Sequence, residues 1–124
     1  MTKTFPFKEL TVWQKAIDFT NAVIDVSENL NTNTKHYRLI EQLESAAASV
    51  PQNIAEGKGR FSTKEFIRFL YIASGSLYEV VTLLILFEKR KWIDASTLDK
   101  LEKEAIIIAS MIKGLINAIS KTQA

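Results

Sequence analysis

The stretch Asn53-Ile54-Ala55-Glu56-Gly57-Lys58-Gly59-Arg60-Phe61-Ser62-Thr63-Lys64-Glu65-Phe66 decides the fold, because it closes one helix and opens another within a few residues. Ser62 and Glu65 stand at capping-box spacing: the hydroxyl can accept the Glu65 amide, and the carboxylate can return to the Ser62 amide. Gly57 and Gly59 supply residues able to take the positive φ that a helix C-terminus and a tight turn use. Asn53 and Glu56 are expected to serve the turn, satisfying backbone groups or Arg60.

Working outward, the chain on either side of this turn is written in alternating apolar steps of three and four. The first segment runs Val12, Ala16, Phe19, Val23, Val26, Leu30, and the second runs Ile40, Leu43, Ala47, Val50, Ile54. The third runs Phe66, Leu70, Ala73, Leu77, Val80, Leu84, Phe87, and the fourth runs Leu98, Leu101, Ala105, Ile108, Ile112, Leu115, Ile119. Such a period marks helices packed nearly parallel or antiparallel in a left-handed bundle. Short connections force sequential helices to lie antiparallel. The expected fold is all-α, a single-domain up-down-up-down bundle with helices at about 10–30, 36–57, 62–90 and 95–121. Asp94 or Ser96 can cap the last helix.

Two helices carry more than one stripe. Leu10, Trp13, Ile17, Thr20 and Ile24 form a second stripe on the first, and Ile67, Tyr71, Tyr78, Val81 and Ile85 flank the seam of the third. A helix in a lone bundle needs one apolar face of modest width, so a wider face calls for a second surface. Trp13, Ile17, Tyr71 and Tyr78 are therefore expected at an interface between copies; the alternative is a fat core with the aromatic residues at its margin. Pro51 lies inside the second helical pattern, where it removes a donor and crowds the carbonyl of Ala47, so a kink or loosening is expected. The small run Ser45–Ser49 should face Ala73–Ser76 across the hairpin, with close helix contact offsetting the cost of Gly75.

Composition narrows the chemistry. The 124 residues suffice for one core, nearly half are apolar, and there is no cysteine, hence no disulfide, thiolate metal site or thiol nucleophile. The single histidine, His36, is expected to be solvent-exposed or capping, and one histidine cannot supply the paired Glu-x-x-His motifs of a bundle di-metal site. Nucleophile–base pairs are missing, and Glu56 and Glu79 read as paired or capping carboxylates. No catalytic residue, cofactor or metal is expected. The N-terminus lacks the apolar core of a signal peptide, and Val80–Phe87 is too short an apolar run to span a bilayer, so a cytoplasmic protein without a membrane partner is expected.

The formal charge of +2 permits an acidic partner without demanding one. Lys58, Arg60, Lys64 and Arg68 gather around the central turn, and because cations at a helix N-terminus are mildly unfavourable this cluster is the better functional candidate. Lys89, Arg90 and Lys91 sit at a helix C-terminus, where the dipole favours them.

The chain resembles the 23S rRNA intervening-sequence proteins, also called the S23 ribosomal protein family, from Phe7 to about Leu115. The resemblance is carried by Leu10-x-Val12-Trp13-Gln14-x-Ala16, by Leu39-x-x-Gln42-Leu43-x-x-Ala46-Ala47-x-Ser49-Val50-Pro51-x-Asn53-Ile54-Ala55-Glu56-Gly57, by Gly59-Arg60-x-Ser62-x-x-Glu65-Phe66, and by Gly75-Ser76-Leu77-x-Glu79. The same bundle is similar to the accessory variability protein of diversity-generating retroelements. That resemblance implies a homo-oligomer, with a pentamer favoured, working beside a reverse transcriptase and nucleic acid. The chain departs from the family at Glu44 and Ser45, where basic residues are common, and it shows no aromatic platform for single strands.

Two functions follow as expectations. One is a nucleic-acid accessory module that binds RNA or DNA through Lys58, Arg60, Lys64 and Arg68, joined by Lys89, Arg90 and Lys91 of neighbouring copies. The other is a scaffold that oligomerises and binds a protein partner.

Overall fold

The computed structural model describes residues 3–122. A short 3₁₀ helix at Pro6–Glu9 leads into four α-helices: α1 (Thr11–Glu28), α2 (Tyr37–Lys58), α3 (Thr63–Lys89) and α4 (Ala95–Lys121). Each helix lies within two residues of its expected span, and no strand occurs among the described residues.

Register shows the direction of each helix. Thr20 and Ser27 of α1 bond Ala47 and Glu44 of α2, so α2 descends as α1 ascends. Ser49 meets Ser76 at 2.7 Å and Gln42 meets Glu79 at 3.3 Å, which sets α3 antiparallel to α2. Asp25 and Asn29 of α1 line a cleft with Asp94 and Thr97, whereas Lys15 and Asp18 line another with Glu104 and Ile107. Helix α4 therefore runs antiparallel to α1 and closes the four-membered ring. The heptad residues Phe19, Val23, Leu43, Val50, Ile54, Leu70, Leu77, Leu84, Phe87, Ile108 and Ile112 meet in one fully buried core.

Pro51 does not break α2, which continues unbroken from Tyr37 to Lys58. The carbonyl that proline leaves without its helical donor belongs to Ala47, and the buried Thr20 hydroxyl of α1 donates to it at 2.8 Å. The expected loosening is thus offset from the neighbouring helix. Thr20→Val, which keeps shape and removes the donor, should cost about 1–3 kcal/mol because it leaves a buried carbonyl unsatisfied. A urea midpoint unchanged from wild type would show that the bond carries no weight.

Helix termini follow their side chains. Asp94, not Ser96, caps α4: its Oδ1 accepts the Thr97 amide at 2.8 Å, and Ser96 donates to the same oxygen. Hydrogen bonds from Thr97 and then Ser96 hold the Asp94 carboxyl below its ordinary value. At the end of α3, the Lys91 amide bonds Glu88 and the Trp92 amide bonds Phe87, both at 2.9 Å. This is a Schellman ending, and the ring contact of Phe87 with Trp92 at 5.0 Å is its usual apolar partner. Lys91 occupies the left-handed position at φ 63°, where glycine is common.

Three expectations change. No glycine among the described residues takes a positive φ, so Gly57 and Gly59 do not serve the turn in that way. Gly57 is buried in the last turn of α2, and a Cβ there would lie 2.8 Å from the Phe69 Cβ and 3.0 Å from the Phe66 Cδ1. His36 makes no side-chain cap to α2; it is half-buried, and its ring stacks on Trp92 at 4.0 Å. Gly75 points away from α2, with nothing within 4 Å of the position a Cβ would take. The small residues that do meet are Ser49 and Ser76, beside the buried Ala46, Ala47 and Ala73.

Candidate nucleic-acid interface

The approach of Phe66 and Phe69 to Gly57 locks the start of α3 against the end of α2 and holds the turn between them. Ser62 caps α3 by accepting the Glu65 amide at 3.0 Å. The capping box is only half made, since the Glu65 carboxylate turns instead to Arg68, at 2.8 and 3.4 Å. The Arg68 hydrogen bond holds the Glu65 carboxyl below its ordinary value. Ser62→Ala should cost roughly 1 kcal/mol of stability, the usual worth of an N-cap hydroxyl. Equilibrium unfolding of the purified variant measures it, and no loss would remove Ser62 from the structural role.

Asn53 donates to the Ser49 carbonyl and hydroxyl, both at 2.8 Å, and Glu56 pairs with Arg60 at 3.1 Å. Arg60 and Arg68 also lie over the Phe69 ring, at 4.8 and 4.5 Å from its centroid. Lys58 sits 5.9 Å from the Phe66 ring, and neither Lys58 nor Lys64 forms an ion pair among the described residues. The turn therefore gathers four cations as expected, but Glu56 and Glu65 each take one of them as an ion-pair partner. These exposed pairs add little stability; their effect is to lower the charge of the patch.

At the apex stands Phe61, with a relative exposure of 109%. Its ring makes no aromatic or cation contact among the described residues. Phe5, also exposed, lines a groove of about 310 Å³ with Lys58 and Gly59 at the same end of the bundle.

Lys89, Arg90 and Lys91 lie at the far end of α3, 27 residues or about 40 Å from the turn. None forms an ion pair among the described residues, and Arg90 lies 6.0 Å from the Trp92 ring. One copy cannot merge the two basic clusters into one patch. Beside this second cluster is an open cleft of about 650 Å³ with a mixed lining, in which Val26, Trp92 and Ile93 stand beside Asp25, Asn29 and Lys91. Among the described residues, no His, Cys, Asp or Glu group has the makings of a metal site.

The double stripes resolve differently on the two helices. Trp13 is half-buried beneath Phe7 of the 3₁₀ helix, at 5.0 Å between rings, and Gln14 ties that helix down by donating to the Lys8 carbonyl. Thr20 is buried, which leaves Ile17 as the exposed large apolar residue of that stripe. On α3, by contrast, Tyr71 (62%) and Tyr78 (68%) stand exposed with Ile72, Ile85 and Leu86. Between Arg68 and Glu88 the helix carries one ionisable group besides the tyrosines, Glu79. Tyr78 and Ile106 of α4 border an apolar groove of about 230 Å³. By length and composition α3 is the one described helix able to cross a bilayer, which the short Val80–Phe87 run did not suggest. Its inner face packs in the bundle, and only 39% of its apolar window is buried.

Residues 8–114 match the family described as 23S rRNA-intervening sequence protein. Among solved structures, a protein with unknown function from the S23 ribosomal protein family of Bacteroides thetaiotaomicron superposes with a TM-score of 0.80. Its identity is 21%, and the match covers 86% of this chain and 98% of that one. At that identity the likeness shows the shared fold. No curated protein matches the chain.

Proposed function

The chain belongs to the 23S rRNA-intervening sequence protein family, and from that premise we propose that it is a non-enzymatic, homo-oligomeric accessory protein of nucleic acid or ribonucleoprotein. The observation that carries this reading is the turn at the α2–α3 end. There Lys58, Arg60, Lys64 and Arg68 converge on one rigid tip whose packing does not require Lys58 or Lys64 as ion-pair partners. A single copy offers too few cations for tight binding. An assembly repeats the tip and can neutralise many phosphates together, so binding depends on self-association as well as on charge. The open face of α3 supports such self-association, because apolar patches beyond a few hundred Å² are uncommon on soluble monomers.

The test is the quadruple replacement of Lys58, Arg60, Lys64 and Arg68 by Gln. It should leave the helical spectrum intact and flatten the dependence of affinity on salt, by roughly 0.9 log units for each phosphate of duplex DNA no longer neutralised. An intact oligomer that retains neither RNA nor DNA at low salt would overturn the proposal. A second reading, a scaffold for a protein partner, is favoured by the Glu56–Arg60 and Glu65–Arg68 pairs, which lower the charge of the tip. Salt-insensitive capture of a protein by the quadruple variant would support it.

A further inference from the structure

We propose that Phe61 is a stacking platform for an unpaired base, so that the turn selects single-stranded nucleic acid over duplex; this rests on the nucleic-acid reading above. Phe61 is fully exposed at the apex of a turn that the Gly57 contact and the Ser62 cap hold in place. A phenyl ring held in water and used by no internal contact is available to a partner. Its surroundings say which kind. Lys58, Arg60 and Lys64 flank the ring in sequence, and burying it in an apolar protein pocket would desolvate those cations at high cost. A polyanion with flat apolar faces suits both features: phosphates meet the lysines, and a base meets the ring. In a duplex the base faces are already stacked, so only an unpaired base offers its face to the phenyl. Such stacking is tolerant of sequence, since every base has a π-face.

Phe61 is also separate from the apolar face of α3. Tyr71 begins that face ten residues later, with Arg68 between them, and the helical part of that span, Thr63 to Tyr71, rises about 12 Å. Phe5, stacked on Phe7 at 5.6 Å between rings, gives a second exposed aromatic surface beside Lys58 and Gly59.

The experiment measures fluorescence anisotropy with a labelled oligo(U) strand and with a labelled RNA duplex, using full-length protein over a salt series. Phe61→Ala should weaken oligo(U) binding about tenfold while leaving duplex affinity and the salt slope unchanged. Phe61→Trp should restore single-strand binding. Lys58→Gln with Lys64→Gln should instead lower the slope, by roughly 0.7 for each single-strand phosphate left without its cation. If wild type binds oligo(U) with a steep slope and Phe61→Ala binds equally well, the stacking role is overturned and the nucleic-acid reading stands. If wild type at low salt binds neither probe, and neither oligo(dT) nor a DNA duplex, both fall. Should Phe61→Ala change the sedimenting mass, Phe61 is a contact between copies and the inference is wrong.

Discussion

Gly57→Leu is expected to cost roughly 3 kcal/mol or more, the upper range for forcing a large side chain into a packed site. The reason is local. A Cβ at Gly57 would already lie 2.8 Å from the Phe69 Cβ and 3.3 Å from the Phe66 carbonyl oxygen. Neither is the free end of a flexible side chain, so relief requires moving α3 away from α2. Gly57→Ala sets two effects against each other. Alanine gains about 1 kcal/mol of helix propensity over glycine, and the contact opposes it. The contact should win, with a net loss of about 1–2 kcal/mol. Urea unfolding of both variants decides: alanine equal to or better than wild type would mean that the helix pair yields easily. Since Phe69 lies beneath Arg60 and Arg68, the same shift should displace the basic tip.

That example shows what periodicity can and cannot reveal. The four helices were legible because heptad spacing and short links are local properties, and they place Phe19, Leu43, Leu77 and Ile108 in one core without knowledge of partners. A glycine near a helix end was equally legible as a turn signal, but the reason for glycine at this position is different. Gly57 excludes a Cβ from a helix–helix contact, and such crowding is set by which helices meet. The same holds for Pro51. The sequence shows that Ala47 loses a helical donor, and only the α1–α2 register brings Thr20 to replace it. Ser62 was readable as a cap, while Glu65 had two available partners and took the nearer cation, Arg68. Trp13 and Tyr71 look alike as second-stripe aromatics. Phe7 covers the first, and no ring of this chain stacks on the second among the described residues. Phe61 gave no signal, because one aromatic residue in a loop has no period; the expectation that the chain lacks an aromatic platform for single strands gives way, in our proposal, to the exposure of this ring at the apex.

The second large effect concerns the face left open. Gly75 lies near the middle of α3's outer face, among Tyr71, Ile72 and Tyr78, in a helix interior where alanine would be better by about 1 kcal/mol. No atom of another helix comes within 4 Å of where its Cβ would be, so nothing internal demands glycine. If another copy packs its helix here, the missing side chain allows the close approach. The two explanations differ in what Gly75→Ala does to association. On an uncovered face, Gly75→Ala simply stabilises the chain. On an assembled one, it stabilises the isolated bundle and weakens association, and Gly75→Leu should reduce the mass to that of a single chain at micromolar concentration. Tyr78→Lys, a charge beside the groove with Ile106, should act likewise. Light scattering beside thermal unfolding reads both effects at once. A monomeric wild type would overturn self-association outright. An oligomer that keeps its mass in both Gly75→Leu and Tyr78→Lys would move the interface off α3, and Ile17 of α1 and Ile107 of α4 would be the next exposed apolar residues to test.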